Sequence, residues 1–301
     1  MLIRFLKYVE IRTKIASVLP FLLGLSYVIY AYGRLDIVNT LLFFASMLCF
    51  DMATTALNNY IDVKTNGKTL EFSQKNAKQI LFVLLILASL LGLALVFLTG
   101  LIVLFIGALC FGVGIFYTFG PVPISRLPLG EIFSGLFMGL LIPFLVVYIN
   151  APNDSLIYYD FSNWILKLSV NTLELLKLGV VTIPAITGIA NIMLANNICD
   201  LEADVKVNRF TLPYYTGLKK AVNIFAGLYY LGFTAIIIMV LFKIVPIFGL
   251  IVLLGIIPVQ KNISLFRKQQ SKLITFPLSV QNLVFMIIPL IISLAVGAII
   301  K

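Results

Sequence analysis

The sequence contains no histidine and only three cysteines, Cys49, Cys110 and Cys199. Without histidine, imidazole is excluded both as a catalytic base and as a metal ligand. Three cysteines within or beside apolar segments indicate neither a disulfide framework nor a zinc site. Any metal site in this chain must therefore be built from oxygen ligands.

Charged residues are also scarce. They make up 11% of the 301 residues, whereas hydrophobic residues make up 61%, and the mean hydropathy is +1.09. A soluble domain carries about a quarter charged residues. The composition therefore indicates an all-α polytopic membrane protein, because helices satisfy their own backbone hydrogen bonds in lipid. The net charge of +10 fits anionic lipid headgroups or a phosphorylated substrate, and so apolar a chain argues against nucleic acid as a partner.

Nine apolar segments are long enough to cross a bilayer, and we expect them to form a single bundle over residues 1–301. The N-terminus lacks the pattern of a removable signal peptide. Most lysines and arginines lie in segments on the side of the N-terminus, which predicts an integral, multi-pass protein of the cell membrane with its N-terminus in the cytoplasm. The predicted segments are Ile15–Gly33, Ile37–Tyr60, Ile80–Leu98, Leu101–Phe119, Ile132–Ile149, Leu176–Ile198, Val222–Phe242, Val245–Val259 and Phe276–Ile300.

A polar stretch follows the sixth of these segments. Asn196–Leu212 reads NNICDLEADVKVNRFTL, so Asp200 and Asp204 share one helical face and Asn196 and Asn197 lie one turn earlier. A carboxylate beside hydrocarbon is costly unless it is neutralised, hydrated or bound to a cation. Carboxylate and amide oxygens together suit a Mg²⁺ ion that holds a phosphorylated substrate.

The same signature ends the second segment. Asn58–Asn66 reads NNYIDVKTN and Asn196–Asp204 reads NNICDLEAD, and both fit N-N-x-x-D-x-x-x-[N/D]. The repetition predicts a duplicated half-site in two halves, about residues 1–150 and 151–301. Because an even number of segments separates the motifs, the halves are expected to be parallel and both motifs to open to the cytoplasm. Many ion-coupled transporters instead have inverted repeats with sites at the midplane.

These motifs resemble the two Asp-rich motifs of the UbiA-type intramembrane aromatic prenyltransferases. Asn196–Leu212 is similar to N-N-x-R-D-x-x-x-D-x-x-x-G-K-x-T-L, found in the branch that prenylates 1,4-dihydroxy-2-naphthoate in menaquinone synthesis. Tyr117–Glu131, YTFGPVPISRLPLGE, is similar to the Y-T-x-G-P-x-P-I…L-G-E segment of that branch. The resemblance covers nearly the whole chain, including an early Arg12. It implies Mg²⁺-dependent transfer of an isoprenyl chain from an isoprenyl diphosphate to an aromatic acceptor.

The resemblance also implies roles for individual residues, which we state as expectations. The expected metal ligands are Asn58, Asp62, Asn66, Asp200 and Asp204. The expected substrate contacts are Arg12, Asn58, Lys68, Arg126, Asn196, Asn197, Lys206 and Arg209. The expected catalytic residues are Asp51, Asp62, Tyr117, Asp200 and Asp204.

Aromatic rings and one further acid complete the expected site. Tyr117, with Tyr60, Phe116 and Phe119, would wall a dry cavity for the allylic cation. Asp51 shares a helical face with Thr55, Asn58 and Asp62. It is expected to be a proton acceptor or a contact to the acceptor hydroxyl, or else a buried protonated acid.

Several positions depart from the family pattern. Asn59 and Asn66 stand where the family usually has acids, Asn208 replaces a glycine, Arg209 a lysine and Cys199 an arginine. Amide oxygens bind a hard cation less strongly than carboxylates, so acids restored at 59 and 66 are expected to tighten Mg²⁺ use. Two other functions stay open: a cation-coupled transporter, and a non-catalytic subunit of a prenyltransferase complex. Assembly into a homo- or hetero-oligomer also stays open.

Overall fold

The computed structural model describes residues 1–66, 70–120, 123–153 and 155–301, with the side chains of residues 64–66 outside that description. Within these ranges, nine helical segments are long and apolar enough to cross a membrane. The prediction of a nine-helix, polytopic bundle is therefore confirmed. The segments are Ile11–Tyr32, Ile37–Val63, Gln74–Thr99, Leu101–Thr118, Gly130–Asn150, Thr172–Cys199, Leu218–Leu241, Ile247–Lys268 and Phe276–Ile300.

Thirteen α-helices and one β-hairpin are numbered here in chain order. The helices are α1 (Leu2–Tyr8), α2 (Ile15–Tyr32), α3 (Ile37–Asn66), α4 (Gln74–Thr99), α5 (Leu101–Thr118), α6 (Gly130–Ser134), α7 (Ile142–Asn150), α8 (Thr172–Cys199), α9 (Leu201–Lys206), α10 (Leu212–Thr216), α11 (Leu218–Leu241), α12 (Ile256–Lys268) and α13 (Phe276–Ile300). Short 3₁₀ helices cover Ile11–Lys14, Ile124–Arg126 and Ile247–Gly255, and a π-helix covers Gly135–Leu141. The hairpin strands are β1 (Ile157–Ser162) and β2 (Ile165–Val170).

Helix α8 forms the centre of the bundle. In its membrane-spanning window 67% of the residues are buried, compared with 11% in α5. It packs against α11 and α13, where Leu194 and Ile198 of α8 share one apolar core with Phe225 and Leu283. Since the last turn of α8 carries Asn196, the second polar motif begins on the most buried of the described membrane spans.

The fifth span is built from α6, the π-helix and α7, and it approaches α8 closely. A Cβ atom at Gly139 would lie 2.5 Å from the Cα of Ile186, and one at Gly135 would lie 3.0 Å from the Ile186 carbonyl oxygen. Such contacts require glycine, which is how small residues bring membrane helices together. The close approach fixes α6, with Glu131, beside the end of α8.

The N-terminal helix α1 is hydrogen-bonded to both α3 and α4. The Tyr8 side chain is buried, and its hydroxyl donates to the carbonyl oxygens of Ala56 (3.0 Å) and Ala77 (3.3 Å). Because a buried hydroxyl needs partners, these bonds hold the chain start next to the first polar motif.

Several span boundaries and one element differ from the sequence prediction; the third span, for example, begins at Gln74 rather than Ile80. The eighth span does not end at Val259: it begins as a 3₁₀ helix at Ile247 and continues as α12 to Lys268. The sequence analysis assigned no element between the fifth and sixth spans, whereas β1 and β2 pair there in an antiparallel hairpin. The division into parallel halves, about residues 1–150 and 151–301, stays a prediction.

Candidate functional site

The second motif holds a cation from a distant part of the chain. The Lys272 ammonium, in the segment between α12 and α13, donates to Asp200 Oδ2 at 2.5 Å and also to Asn196 Oδ1. The same ammonium lies 5.0 Å from the centre of the Phe276 ring. Asn196 and Asp200 therefore direct their oxygens at one cationic group, and their predicted roles as metal ligands stay predictions.

Sequence reasoning missed Lys272. Its side chain lies against Asn196, but 76 residues separate the two along the chain. The sequence motif contains no feature that points to the segment before α13.

The second acid of the motif, Asp204, is buried beside Arg209. Arg209 Nε lies 3.6 Å from Asp204 Oδ2, and that oxygen has no hydrogen-bond partner in the described part of the chain. Burial raises the pKa of the Asp204 carboxyl; the Arg209 guanidinium lowers it, and Asp200 and Asp62 raise it further. Because the Asp62 carboxylate acts on the pKa of Asp204, the end of α3 lies near α9. The two motifs are therefore on the same side of the bundle.

A second arginine flanks the acids. Arg209 Nε donates to the Ser125 carbonyl at 2.9 Å, and Arg126 Nη1 donates to the Val207 carbonyl at 3.5 Å. The segment after α5 is thereby docked onto the segment after α9. Both predicted arginines lie at this junction, whereas the Lys206 side chain is exposed to solvent.

One departure from the family pattern has a clear backbone reason. Asn208, where the family has glycine, adopts φ +56°. Glycine enters the left-handed region without strain, and asparagine is among the few other residues that tolerate it. Asn208 therefore allows the backbone turn that brings Arg209 beside Asp204.

Asn197 points away from Lys272 and into the protein. Its Nδ2 donates to Glu131 Oε1 at 2.9 Å, and both side chains are buried. Glu131 Oε2 and Asn197 Oδ1 have no hydrogen-bond partner among the described atoms. Tyr117 lies in the same region, where its hydroxyl donates to the Met193 sulfur at 3.4 Å. The sequence analysis assigned Asn197 and Tyr117 to the site but gave Glu131 no role.

The first motif is joined to the N-terminus through Asn59. Its Nδ2 donates to the Tyr8 carbonyl at 2.9 Å and to Glu10 Oε1 at 3.2 Å. An aspartate cannot donate either bond. The structure thus gives position 59 a different task from the metal ligation that an acid there would imply.

The other residues of the first motif differ in how far they are exposed and in whether the structure describes them. Asn58 is exposed and Asp62 is half-buried near the second motif. The side chain of Asn66 and the whole of Lys68 lie outside the described residues, so their predicted roles stay predictions.

Asp51 has an ion-pair partner that the sequence analysis did not name. The buried Lys14 ammonium lies 2.7 Å from Asp51 Oδ1 and donates to Thr55 Oγ1 at 2.6 Å, while Ser17 donates to Asp51 Oδ2 at 2.6 Å. Asp51 and Thr55 therefore share a face, as expected. Lys14 supplies a counter-charge beside Asp51, and the predicted catalytic role of Asp51 stays a prediction. Arg12, the predicted basic residue of this region, is exposed instead.

Two aromatic residues expected to wall the cavity are largely exposed. The exposed fractions of Phe116 and Phe119 are 58% and 60%. Phe116 lies on α5, which carries the least buried of the described membrane spans, and Phe119 directly follows that helix. Their place in the wall of a dry cavity stays a prediction.

The residues present fit part of a Mg²⁺ site. No group of three histidine, cysteine or acidic side chains is arranged to hold a metal within the ranges that the structure covers. However, Asn196 and Asp200 converge on one cation, and Asp204 has a buried oxygen that lacks a donor. Mg²⁺ is commonly bound by one or two carboxylates together with water and substrate phosphates. The donor set therefore fits an ion whose coordination a diphosphate would complete.

Comparison with known proteins identifies the family. The model of the UbiA prenyltransferase family matches residues 17–280. This chain belongs to the UbiA prenyltransferase family. The prediction of that family, made from the two motifs, is confirmed.

Among UbiA-family relatives, the chain is 28% identical over 227 residues to the 1,4-dihydroxy-2-naphthoate octaprenyltransferase of Bacillus subtilis (strain 168). The aligned region is 71% of this chain and 66% of that protein, so the chain spans just under two thirds of its relative's length.

Solved structures of UbiA homologues share the fold. The apo homologue from Aeropyrum pernix K1 matches with a TM-score of 0.68 and 16% identity, over 93% of this chain and 98% of that one. The Archaeoglobus fulgidus homologue bound to GPP and Mg²⁺ matches with a TM-score of 0.64 and 13% identity, over 99% of this chain and 100% of that one.

Proposed function

We propose that this UbiA-family protein transfers an isoprenyl chain from an isoprenyl diphosphate to an aromatic acceptor of the 1,4-dihydroxy-2-naphthoate type, in menaquinone or demethylmenaquinone synthesis. The observation that carries the proposal is the convergence of Asn196 and Asp200 on one cationic position, with Arg209 beside Asp204. The B. subtilis relative supports the choice of acceptor, since its name specifies that naphthoate. The A. fulgidus homologue supports the choice of donor and metal.

Each charged group has a task in this reaction. Asp62, Asp200 and Asp204, supported by Asn58 and Asn196, would hold Mg²⁺. When bound, the ion neutralises the diphosphate and stabilises the charge that develops on the leaving group. Such preorganised charge is usually a large part of catalysis.

The cationic side chains bind the diphosphate directly. Arg209 and Arg126 lie at the rim of the acids and can donate to phosphate oxygens. Lys272, which donates to Asn196 and Asp200, would be a further partner for the phosphate oxygens. Its side chain is 42% exposed, so this contact needs no repacking of the core.

The bond changes follow from the charges. The carbon–oxygen bond to the diphosphate breaks, and its electron pair leaves with pyrophosphate. An electron-rich ring carbon of the acceptor forms the new bond to the isoprenyl carbon. The ring regains aromaticity by releasing a proton from that carbon, or carbon dioxide where that carbon bears the carboxylate. Tyr117, behind the second motif, is proposed to stabilise the allylic cation.

The membrane arrangement is part of the proposal. We propose that the N-terminus and both motifs face the cytoplasm of the cell, where the soluble diphosphate head and the acceptor arrive, while the isoprenyl tail stays in lipid. The distribution of lysine and arginine along the sequence supports this orientation.

Incubation of the purified protein with Mg²⁺, farnesyl or geranylgeranyl diphosphate and dihydroxynaphthoate tests the proposal. Mass spectrometry should detect a prenylated product whose formation stops when the metal is chelated. Absence of product together with ion flux in liposomes would select the transporter instead. Product that forms only after a second protein is added would select a non-catalytic subunit.

A further inference from the structure

The hairpin between α7 and α8 has two chemically different faces. Neighbouring residues along a strand point to opposite sides, and directly paired residues lie on the same side. The pairs Ile157–Val170, Tyr159–Leu168 and Phe161–Leu166 therefore form one apolar face. The opposite face carries Tyr158–Ser169, Asp160–Lys167 and Ser162–Ile165, with the two charges opposite each other.

Much of the apolar face is uncovered by protein. The exposed fractions are 62% for Phe161, 63% for Leu166, 63% for Leu168 and 42% for Val170. A two-stranded hairpin is marginally stable in water, and an apolar patch left exposed on it indicates a contact with something apolar.

The hairpin tip presents a tryptophan in an unusual backbone conformation. Asn163 and Trp164 have φ values of +51° and +61°. A two-residue turn with positive φ suits the twist of a hairpin, but a bulky residue rarely adopts it. The Trp164 ring is 93% exposed and meets the Phe161 ring edge to face at 6.2 Å. The turn therefore extends the apolar face by one large, unpacked aromatic ring.

The hairpin is seated at the membrane end of two lipid-facing helices. The Leu101 N–H, at the turn between α4 and α5, donates to the Tyr159 hydroxyl at 2.9 Å. Gly100 in that turn leaves the room that Tyr159 occupies. Phe97 and Leu98, just before the turn, are 88% and 59% exposed. The apolar face of the hairpin thus continues the lipid-facing surface of α4 and α5.

The hairpin also lies at the opposite membrane face from the two motifs. Helix α8 starts at Thr172, directly after β2, and its 28 residues end at Cys199, beside the second motif. At 1.5 Å per residue, α8 is about 42 Å long, which exceeds the hydrocarbon thickness of about 30 Å.

We propose that the β1–β2 hairpin lies in the bilayer interface opposite the motifs, with its apolar face and Trp164 against the acyl chains and its Asp160–Lys167 face toward water. Tryptophan and tyrosine favour this zone because their rings are apolar and carry one polar atom. A lipid partner is favoured over a protein because the apolar face continues the surface of α4 and α5. The inference does not depend on the proposed enzymatic function.

Trp164 is the only tryptophan of the sequence, so fluorescence of the full chain reports on this tip alone. The purified protein is placed in liposomes made with lipids brominated near the headgroup, brominated near the chain end, or unbrominated. We expect at least a twofold loss of emission with bromine near the headgroup, a smaller loss with bromine near the chain end, and weak quenching by aqueous iodide. Strong iodide quenching with no effect of brominated lipid would place the tip in water and overturn the proposal. Shielding from both quenchers would mean that a second copy or another protein covers the face, and would overturn it equally.

Matched variants test the faces. Phe161→Asp with Leu166→Asp adds two charges to the apolar face, whereas Ser162→Asp with Ser169→Asp adds the same charges to the polar face. The first pair should shift the emission to longer wavelength and raise iodide quenching severalfold, and the second pair should leave both near wild type. Equal effects of the two pairs would contradict the assignment of the faces, and the wild-type quenching stands whether or not a variant folds.

Discussion

At the scale of single residues, Lys272 offers the sharpest test of the site. Lys272→Met removes the ammonium held by Asn196 and Asp200 while keeping much of the side-chain volume. We expect kcat/KM for the diphosphate substrate to fall roughly tenfold to a hundredfold, since a hydrogen bond to a charged group is lost. Lys268→Met is the control, because it removes the same charge from an exposed side chain on the last turn of α12. Equal kinetics for the two variants would argue against Lys272 as a substrate contact.

Asn59 gives a second prediction at this scale, and it reverses the expectation from the sequence. Asn59→Asp replaces a double donor by an acceptor that faces the Tyr8 carbonyl and the Glu10 carboxylate. The change should destabilise the fold by about 1–3 kcal/mol and lower the thermal midpoint, rather than tighten Mg²⁺ use. Asn58→Asp adds the same charge at an exposed neighbour and should be nearly neutral. An unchanged midpoint for Asn59→Asp would contradict the proposed N-terminal anchor.

Site residues that lie close together along the chain could be predicted from the sequence. Asp200 and Asn196 lie one turn apart on one helix, so their spacing alone placed both oxygens on one face. Lys272 and Lys14 could not be found in this way, because tertiary packing brings them to acids 72 and 37 residues away. The orientation of Asn59 was equally hidden, since it depends on where α1 docks.

At the scale of elements, the Lys14–Asp51 pair links the start of the first span to α3. The two side chains are 4% and 17% exposed, so removing one charge leaves the other buried and unpaired. Lys14→Met or Asp51→Asn alone should each cost about 3–5 kcal/mol of stability. The double variant should recover much of the thermal midpoint and of the prenyl transfer. A double variant that is stable but inactive would instead make Asp51 the proton acceptor.

The contact between the fifth span and α8 gives another prediction at this scale. Gly139→Ala would place a methyl group 2.5 Å from the Cα of Ile186, so α8 and the second motif must shift. We expect a lower thermal midpoint and a clear loss of turnover, because overpacking typically costs about 1–3 kcal/mol. Gly107→Ala serves as the control, since no atom lies within 4 Å of the added carbon. Similar losses in both variants would refute the close-packing argument.

Hydropathy located the nine spans but not all of their boundaries. The sequence offers only a short break at Thr99-Gly100 between two long apolar runs, and the structure has a turn there in which Gly100 adopts φ +95°. The hairpin was not predicted, because the alternation in β1 and β2 is short and is surrounded by helical apolar segments. The eighth span was cut short at Val259 because α12 continues through polar residues as far as Lys268.

At the scale of the whole molecule, the central helix α8 brings the second motif close to the first motif at the end of α3. Helix α8 is the most buried span, and the carboxylate of Asp62 on α3 acts on Asp204 after α8. A membrane bundle of this family was predictable because composition and the repeated Asn/Asp signature act over the entire chain. The position of Lys272 beside the second motif was not predictable, because it depends on how α13 packs against α2 and α8.

The central claim is that the acids at the end of α8 perform prenyl transfer. It is tested most directly by turnover of purified Asp200→Asn beside Asp160→Asn, which makes the same charge change on the hairpin at the opposite membrane face. We expect Asp200→Asn to lose at least a hundredfold in product formation while keeping the wild-type thermal midpoint, because its charge serves the cation and the diphosphate. Asp160→Asn should turn over like wild type. Wild-type turnover by Asp200→Asn would contradict the account.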